Sequence, residues 1–319
     1  MSSAPPFPWL DAALGALEAA HAADRLPHAI LIHEAPGSGG GRLALAIAQL
    51  ALCSSRPACG RCLACRHVLE EQHPDLTLVR PLEDSQQIRI EQVRELGAEL
   101  ALTSHQGGYK VAIVEPADAL NRFAANALLK TLEEPPPRTV LVLVAQQPSR
   151  LPATIVSRCQ RVSLRAPTRA QSLAWLGAAR GPGDWDAVLD VIGEAPLAAA
   201  ALDPAAVAQL AKETARALEQ ATAGSADPVA LAERWSRSEL ALRLSCFENW
   251  LTERIHGRLA SRAESAEVRS TAHSRVPDSV LNTRVLFQLL DRVRELKAAL
   301  ATPINRSLAL ESLLRSLRT

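Results

Sequence analysis

The chain has 319 residues, enough for about two domains with cores of their own, which excludes a small disulfide-stapled module. Its 35 basic and 34 acidic residues give a formal net charge of +1, without a charged tail of the kind that binds nucleic acid or membrane surfaces. Only 3% of the residues are aromatic and the apolar content of 48% is mostly Ala and Leu, which favours helices over an all-β fold.

The sequence predicts a cytoplasmic protein. The amino-terminal segment lacks the pattern of a secretory signal, and no run of 18 uncharged apolar residues predicts a membrane span. In a reducing compartment the six cysteines are not expected to form disulfides.

Short apolar runs alternate with helical patterns through the first half of the chain. The strands are predicted at residues 29–33, 76–79, 111–115, 139–145 and 160–164, and the main helices at 43–52, 88–102 and 122–134. Strands that alternate with helices are typical of an α/β fold with a parallel sheet covered on both faces.

The strand signals stop after Pro167, and the rest of the chain has helical periodicity. We therefore divide the sequence into an α/β domain over residues 1–165, a small helical domain over 166–205 and an all-helical domain over 206–319. Residues 261–279, rich in Ser, Arg and Glu, are predicted to be the least ordered segment.

A glycine-rich turn follows the first predicted strand and precedes a helix, which is the context of a phosphate-binding loop. Compared with the pattern GxxGxGK[ST], Gly37 and Gly39 match, but Glu34 replaces the first Gly, Gly40 the Lys and Gly41 the Ser/Thr. The Lys would contact phosphates and the hydroxyl would hold Mg²⁺, so we expect weak or no nucleotide binding. A glycine-rich turn that merely starts a helix remains the alternative.

Two further features of the sequence bear on this loop. The strand ending at Glu115 is followed by Pro116, which cannot polarise a water for hydrolysis as an acid could. Arg42 lies two positions past the Lys site, and we expect the helix to turn it about 200° away from the loop.

Four cysteines are crowded into 13 residues, with two CxxC steps that share one cysteine: Cys53, Cys59, Cys62 and Cys65. This spacing predicts a structural Zn²⁺ held by four thiolates, with buried free thiols or an iron–sulfur cluster as alternatives. Four protein ligands leave no open position, so the ion would not take part in chemistry. Cys159 and Cys246 stand alone and are interpreted as apolar fillers.

Two long motifs carry a resemblance to a known family. They are NALLKTLEEPP at residues 126–136 and Ser157-Arg158-Cys159, and the four-cysteine insertion and His73-Pro74-Asp75 accompany them. The chain resembles the clamp-loader branch of the AAA+ ATPases and, in its degraded phosphate loop, the delta-prime family of bacterial DNA polymerase III.

The resemblance implies an AAA+ core with a zinc-binding insertion at 53–65, a small helical lid and a helical collar that packs in a ring of five. It makes Arg158 an arginine finger that reaches the ATP of a neighbouring subunit, supported by Ser157 and Cys159. In the lid, Pro196 stands where motor subunits have a nucleotide-sensing Arg. Structural Zn²⁺ is then the expected cofactor, without functional ATP binding.

The implied partners are the gamma/tau motor subunits and the delta subunit, with the sliding clamp and primer–template DNA contacted through the complex. The implied location is the nucleoid-associated replisome, and the chain alone is not expected to be an enzyme. Two other functions stay open at this point: an active clamp-loader ATPase like gamma/tau, and a zinc-dependent DNA-binding regulator.

Overall fold

The computed structural model describes residues 7–83, 85–105, 107–268, 283–300 and 304–317, with side chains described for all of these except 260–268. The chain divides into two compact units. The first comprises Met1–Ala179 with Glu194–Leu197, and the second comprises Arg180–Gly193 with Ala198–Thr319. The predicted three-domain division stays a prediction.

One parallel sheet forms the centre of the first unit. Its strands lie in the order β2-β3-β4-β1-β5. Their bounds are β1 Ala29–His33, β2 Leu76–Val79, β3 Lys110–Val114, β4 Thr139–Ala145 and β5 Gln160–Ser163. Every pairing is parallel, for example Ile30 of β1 opposite Val142 of β4. The predicted α/β class is confirmed.

Helices cover both faces of this sheet. The helices of the first unit are α1 Asp11–Ala22, α2 Gly40–Leu52, α3 Leu63–Leu69, α4 Ile90–Ala101, α5 Arg122–Glu133, α6 Ala153–Val156 and α7 Arg169–Arg180. Alternate strand residues such as Ile30 and Ile32 pack against α1, α2 and α3. Their neighbours Ala29 and Leu31 pack on the other face against α4 and α5. Burial on both faces explains why the central strands are continuously apolar.

Two helices begin at positions other than those predicted. Helix α2 starts at Gly40 instead of residue 43, because Gly39 in the left-handed region (φ 100°) ends the loop and allows the helical turn to begin at once. Helix α4 starts at Ile90 because Ile88 is used in a parallel bridge to Leu120.

The second unit is helical, as predicted for this part of the chain. Its described helices include α8 Trp185–Ile192, α10 Pro204–Thr222, α11 Pro228–Arg237, α12 Leu240–Val268, α13 Thr283–Ala299 and α14 Arg306–Arg315. The short α9, Pro196–Ala199, begins in the first unit and ends in the second. Trp235, Phe247 and Leu286 are fully buried in its core. None of the described helices is both long and apolar enough to cross a lipid bilayer.

Part of the segment predicted to be least ordered is helical. Residues 261–268 continue α12, since Ala, Arg and Glu are good helix formers even where no apolar stripe is present. Residues 269–279 of that segment lie outside the described residues.

Candidate functional site

The glycine-rich loop lies at the carboxyl edge of the sheet, where ligands bind in open α/β folds. It connects β1 to α2, and Gly37 and Gly39 both have positive φ, at 72° and 100°. The predicted loop is therefore present, with glycine at the two positions where the backbone needs the left-handed region.

A carboxylate of the chain itself occupies the amide end of this loop. Glu34 is buried, and its Oε2 accepts a hydrogen bond from the backbone N–H of Gly40, with an N···O distance of 2.5 Å. Burial raises the pKa of the Glu34 carboxyl above its ordinary value, the hydrogen bond from Gly40 opposes that shift, and the nearby charge of Glu115 adds to it. An amide at the start of α2, of the kind that binds phosphate elsewhere, is thus already used.

Gly40 and Gly41 have no room for a side chain. A Cβ at Gly40 would lie 2.7 Å from the Glu34 carboxyl group and 2.8 Å from Cγ1 of Val144, and one at Gly41 would overlap Oε1 of Glu115. A side chain at either position would therefore require the neighbouring carboxyl group to move, and at Gly40 it would also meet the packed side chain of Val144. The glycine pattern of the loop alone does not predict these contacts, although Glu34 and Glu115 each directly follow a buried strand.

The cavity beside the loop is lined by charges of both signs. It has a volume of about 330 Å³, and Arg80 at its wall pairs with both Glu71 oxygens at 2.7 and 2.8 Å and with Glu115 at 3.3 Å. Glu34, Glu71 and Glu115 outnumber Arg42 and Arg80. Arg80 is thus paired with acids of the chain itself, and acidic groups outnumber basic groups in the lining of this cavity.

The position of Arg42 corrects one expectation. Arg42 lines the same cavity instead of turning away from it, and its charge lowers the pKa of Glu71, although Arg80 is the main cause of that shift. The reason is that side chains on a helix tilt toward its N-terminus, so a long Arg reaches back over the first turn.

Apolar and aromatic side chains cover the outer side of the loop. The indole Nε1 of Trp9 donates to the carbonyl of Ser38 at 2.6 Å. A Cβ at Gly39 would lie 3.1 Å from Leu197 and 3.5 Å from Leu10. Trp9 also makes an edge contact with Trp175, with ring centroids 5.9 Å apart. Packing as well as the hydrogen bond to Glu34 thus supports the conformation of the loop.

The four clustered cysteines come together as predicted. Their sulfur atoms all lie within 4.8 Å of one another, and Cys53 lies 3.8 Å from both Cys59 and Cys62. Four ligands at about 2.3 Å from a tetrahedral zinc ion would be about 3.8 Å apart, so the donor set fits such an ion. These four cysteines could hold a metal ion such as zinc.

Backbone amides point at the sulfurs of this cluster. Cys62 N–H donates to the sulfur of Cys59, and Cys65 N–H to that of Cys62, each at 3.4 Å. Amides from Arg61 and Cys62 lower the pKa of the Cys59 thiol to about 6, which makes a thiolate available at neutral pH. Hydrogen bonds from amides to thiolates are typical of the surroundings of a metal site.

The two remaining cysteines lie outside this cluster. Cys159 is buried in the apolar core of the first unit and Cys246 is buried on α12, and burial raises the pKa of each thiol to about 11. Neither is activated as a nucleophile, in agreement with their interpretation as fillers.

Arg158 lies between α6 and the edge strand β5, with about a third of its side chain exposed. Its Nη2 is 2.8 Å from Oε1 of Glu133, the last residue of α5, and its Nη1 donates to the carbonyl of Thr154 at 3.0 Å. The hydroxyl of Ser157 donates to the same carbonyl at 3.1 Å. The sequence did not predict the pair with Glu133.

A parallel sheet with a glycine-rich loop between its first strand and the following helix defines the class of P-loop NTPase-like proteins. A family model described as DNA polymerase III, delta subunit, matches residues 9–168. DNA polymerase III subunit delta' of Pseudomonas aeruginosa is 38% identical over 257 residues, which are 76% of this chain and 75% of that protein.

Two relatives from one organism show lower coverage. Subunit delta' of Escherichia coli is 37% identical over 173 residues, 53% of this chain and 52% of that protein. Subunit tau of the same organism is 32% identical over 145 residues, which are 44% of this chain and 22% of that protein. The chain belongs to the DNA polymerase III delta-prime family, and the resemblance found from the sequence is confirmed.

Proposed function

We propose that this chain is a non-hydrolysing subunit of the DNA polymerase III clamp loader that places Arg158 against the ATP of a neighbouring motor subunit. In this role it assembles with gamma/tau and delta subunits into a ring of five. The ring contacts the sliding clamp and primer–template DNA, and it loads the clamp during replication. The chain then has no turnover of its own and works in the cytoplasm at the nucleoid-associated replisome.

The proposal that the chain does not hydrolyse ATP rests on one observation: the Glu34 side chain already occupies the phosphate loop. Glu34 takes the Gly40 amide, and Gly40 and Gly41 supply neither the Lys nor the hydroxyl of a working loop. Each charge-assisted contact that a nucleotide lacks is worth roughly 1.5–3 kcal/mol, so two missing contacts weaken binding by about two to four powers of ten. The carboxylates around the cavity weaken it further.

The chemistry of Arg158 supports its role at a neighbouring site. A guanidinium presents five N–H donors in a planar fork that matches phosphate oxygens. Delivered from an adjacent subunit, such a group stabilises the charge that develops on the transferred phosphoryl group and is worth about 10³–10⁵ in rate. The partial exposure of Arg158 is compatible with that use, because a buried guanidinium could not reach another subunit.

We also propose that Cys53, Cys59, Cys62 and Cys65 hold a structural Zn²⁺. Four thiolates satisfy the ion and leave no position for substrate, so it would brace the segment between α2 and α3. This favours a stabilising role over the alternative of a zinc-dependent DNA-binding regulator. The near-neutral net charge points the same way, because DNA affinity depends largely on Lys and Arg.

A titration of the purified chain with a fluorescent ATP analogue and Mg²⁺ separates this proposal from an active ATPase. We expect no saturable binding at micromolar concentrations, with a gamma/tau subunit as the positive control under the same conditions. Mg²⁺-dependent binding in the micromolar range would remove the argument from the occupied loop and favour the ATPase.

A further inference from the structure

We propose that Glu133 is a positioning residue for Arg158, which holds the guanidinium in the orientation that it needs at the neighbouring ATP. This inference rests on the proposed function of Arg158. Its basis is a pair of contacts that fix both terminal nitrogens: Nη2 to Glu133 at 2.8 Å and Nη1 to the Thr154 carbonyl at 3.0 Å.

The placement of Glu133 is unfavourable without such a partner. It is the last residue of α5, where the negative end of the helix dipole disfavours a carboxylate. The next residue, Glu134, is also exposed, and it makes no ion pair with any described residue. Only one of the two adjacent acids therefore has a cationic partner, and that partner is the proposed finger.

The two contacts leave the guanidinium able to bind an anion. Arginine has five N–H donors, and the contacts to Glu133 and Thr154 use two of them, so the Nε side and the second proton of each Nη stay available. A long Arg side chain otherwise samples many rotamers, and holding it in advance removes part of the entropy lost when it meets phosphate. Glu133 and Thr154 come from different elements, α5 and α6, so together they fix the direction of the fork as well as its position.

The exposure of the two side chains sets the expected size of the effect of losing this ion pair. Glu133 is half exposed and Arg158 about a third, and ion pairs of that kind change an equilibrium by about two- to fivefold. A loss of pre-organisation acts on the step in which the guanidinium contacts the transferring phosphoryl group. We therefore expect an effect on kcat, whereas KM for ATP in the neighbour stays unchanged.

The test is DNA-stimulated ATP hydrolysis by the reconstituted complex, and Arg158→Ala defines the share of the rate that depends on the finger. Glu133→Ala should lower that share by about two- to fivefold at saturating ATP, without a change in KM. Glu133→Gln keeps an oxygen that can accept from Nη2 and should retain most of the rate. Glu134→Ala is the matched control and should have no effect.

A double variant separates positioning from a general structural role. In the Arg158→Ala background, Glu133→Ala should cause no further loss, because both changes act through one side chain. A further loss there would overturn the inference, as would an unchanged or faster rate for Glu133→Ala in a complex that Arg158→Ala slows. If Arg158→Ala itself leaves hydrolysis unchanged, the proposed function of the finger fails first.

Discussion

The carboxylate of Glu34 accepts a hydrogen bond from the Gly40 amide at 2.5 Å, at the position where a phosphate-binding loop would present that amide to a nucleotide. The acid comes from the residue directly after β1 and the amide from the first residue of α2. A side-chain oxygen of the chain therefore satisfies this backbone amide without a ligand. The loop can thus keep its shape as a structural element in the absence of a nucleotide.

The lack of space at Gly40 predicts a loss of stability on small substitution. Gly40→Ala brings a methyl group against Glu34 and Val144, and overpacking of this kind costs about 1–3 kcal/mol. Gly15→Ala is the control, because Gly15 lies within α1 with nothing near its Cβ position, and the change should stabilise by about 0.5–1 kcal/mol. Thermal unfolding of both variants measures the difference. Equal melting temperatures would contradict the packing described for the loop.

The raised pKa of Glu34 predicts a pH-dependent effect of Glu34→Gln. Burial makes the folded state hold the proton more strongly than the unfolded state does, so this group stabilises the fold at acidic pH and loses that contribution as pH rises through its folded pKa. Gln keeps an acceptor for the Gly40 amide without a charge. The variant should therefore melt at a higher temperature than the wild type at pH 7.

The comparison with the wild type at acidic pH provides the check on that prediction. Between pH 7 and pH 4 the stabilising effect of Glu34→Gln should shrink, because the wild-type carboxyl becomes protonated. A benefit of equal size at both pH values would show that the charge of Glu34 is not responsible.

Metal content tests the cysteine cluster. The purified chain should carry about one Zn²⁺, and Cys59→Ser should lower both this content and the melting temperature, because binding energy at a structural site is folding energy. Cys246→Ala is the control: it removes a buried cysteine outside the cluster and should leave the metal content unchanged. A wild-type chain purified without metal that keeps the same stability after addition of Zn²⁺ would refute a structural ion.

The fold and the cysteine cluster could be predicted from sequence because both depend on local spacing. Apolar runs bounded by helical patterns specify parallel strands, and two CxxC steps keep four sulfurs within reach of one another whatever surrounds them. The strand ends were therefore placed to within a residue or so, and the sulfurs form one cluster as expected.

The contacts at the loop and at Arg158 could not be predicted in the same way. Glu34 and Glu115 meet the two glycines only because β1 and β3 end at one edge of the sheet. Glu133 and Arg158 are 25 positions apart, and no periodicity joins them. Such contacts depend on how the strands and helices pack together. The spacing of residue types along the sequence does not specify that packing.

The most direct test of the account is the Arg158→Ala variant in the reconstituted complex, measured by clamp loading and DNA-stimulated ATP hydrolysis. We predict an intact assembly that loads clamps at least about tenfold more slowly, because an arginine finger contributes a large factor to phosphoryl transfer. Arg158→Lys keeps the charge but loses the planar fork, so it should restore little of the rate. An assembly with Arg158→Ala that loads clamps and hydrolyses ATP at the wild-type rate would contradict the account.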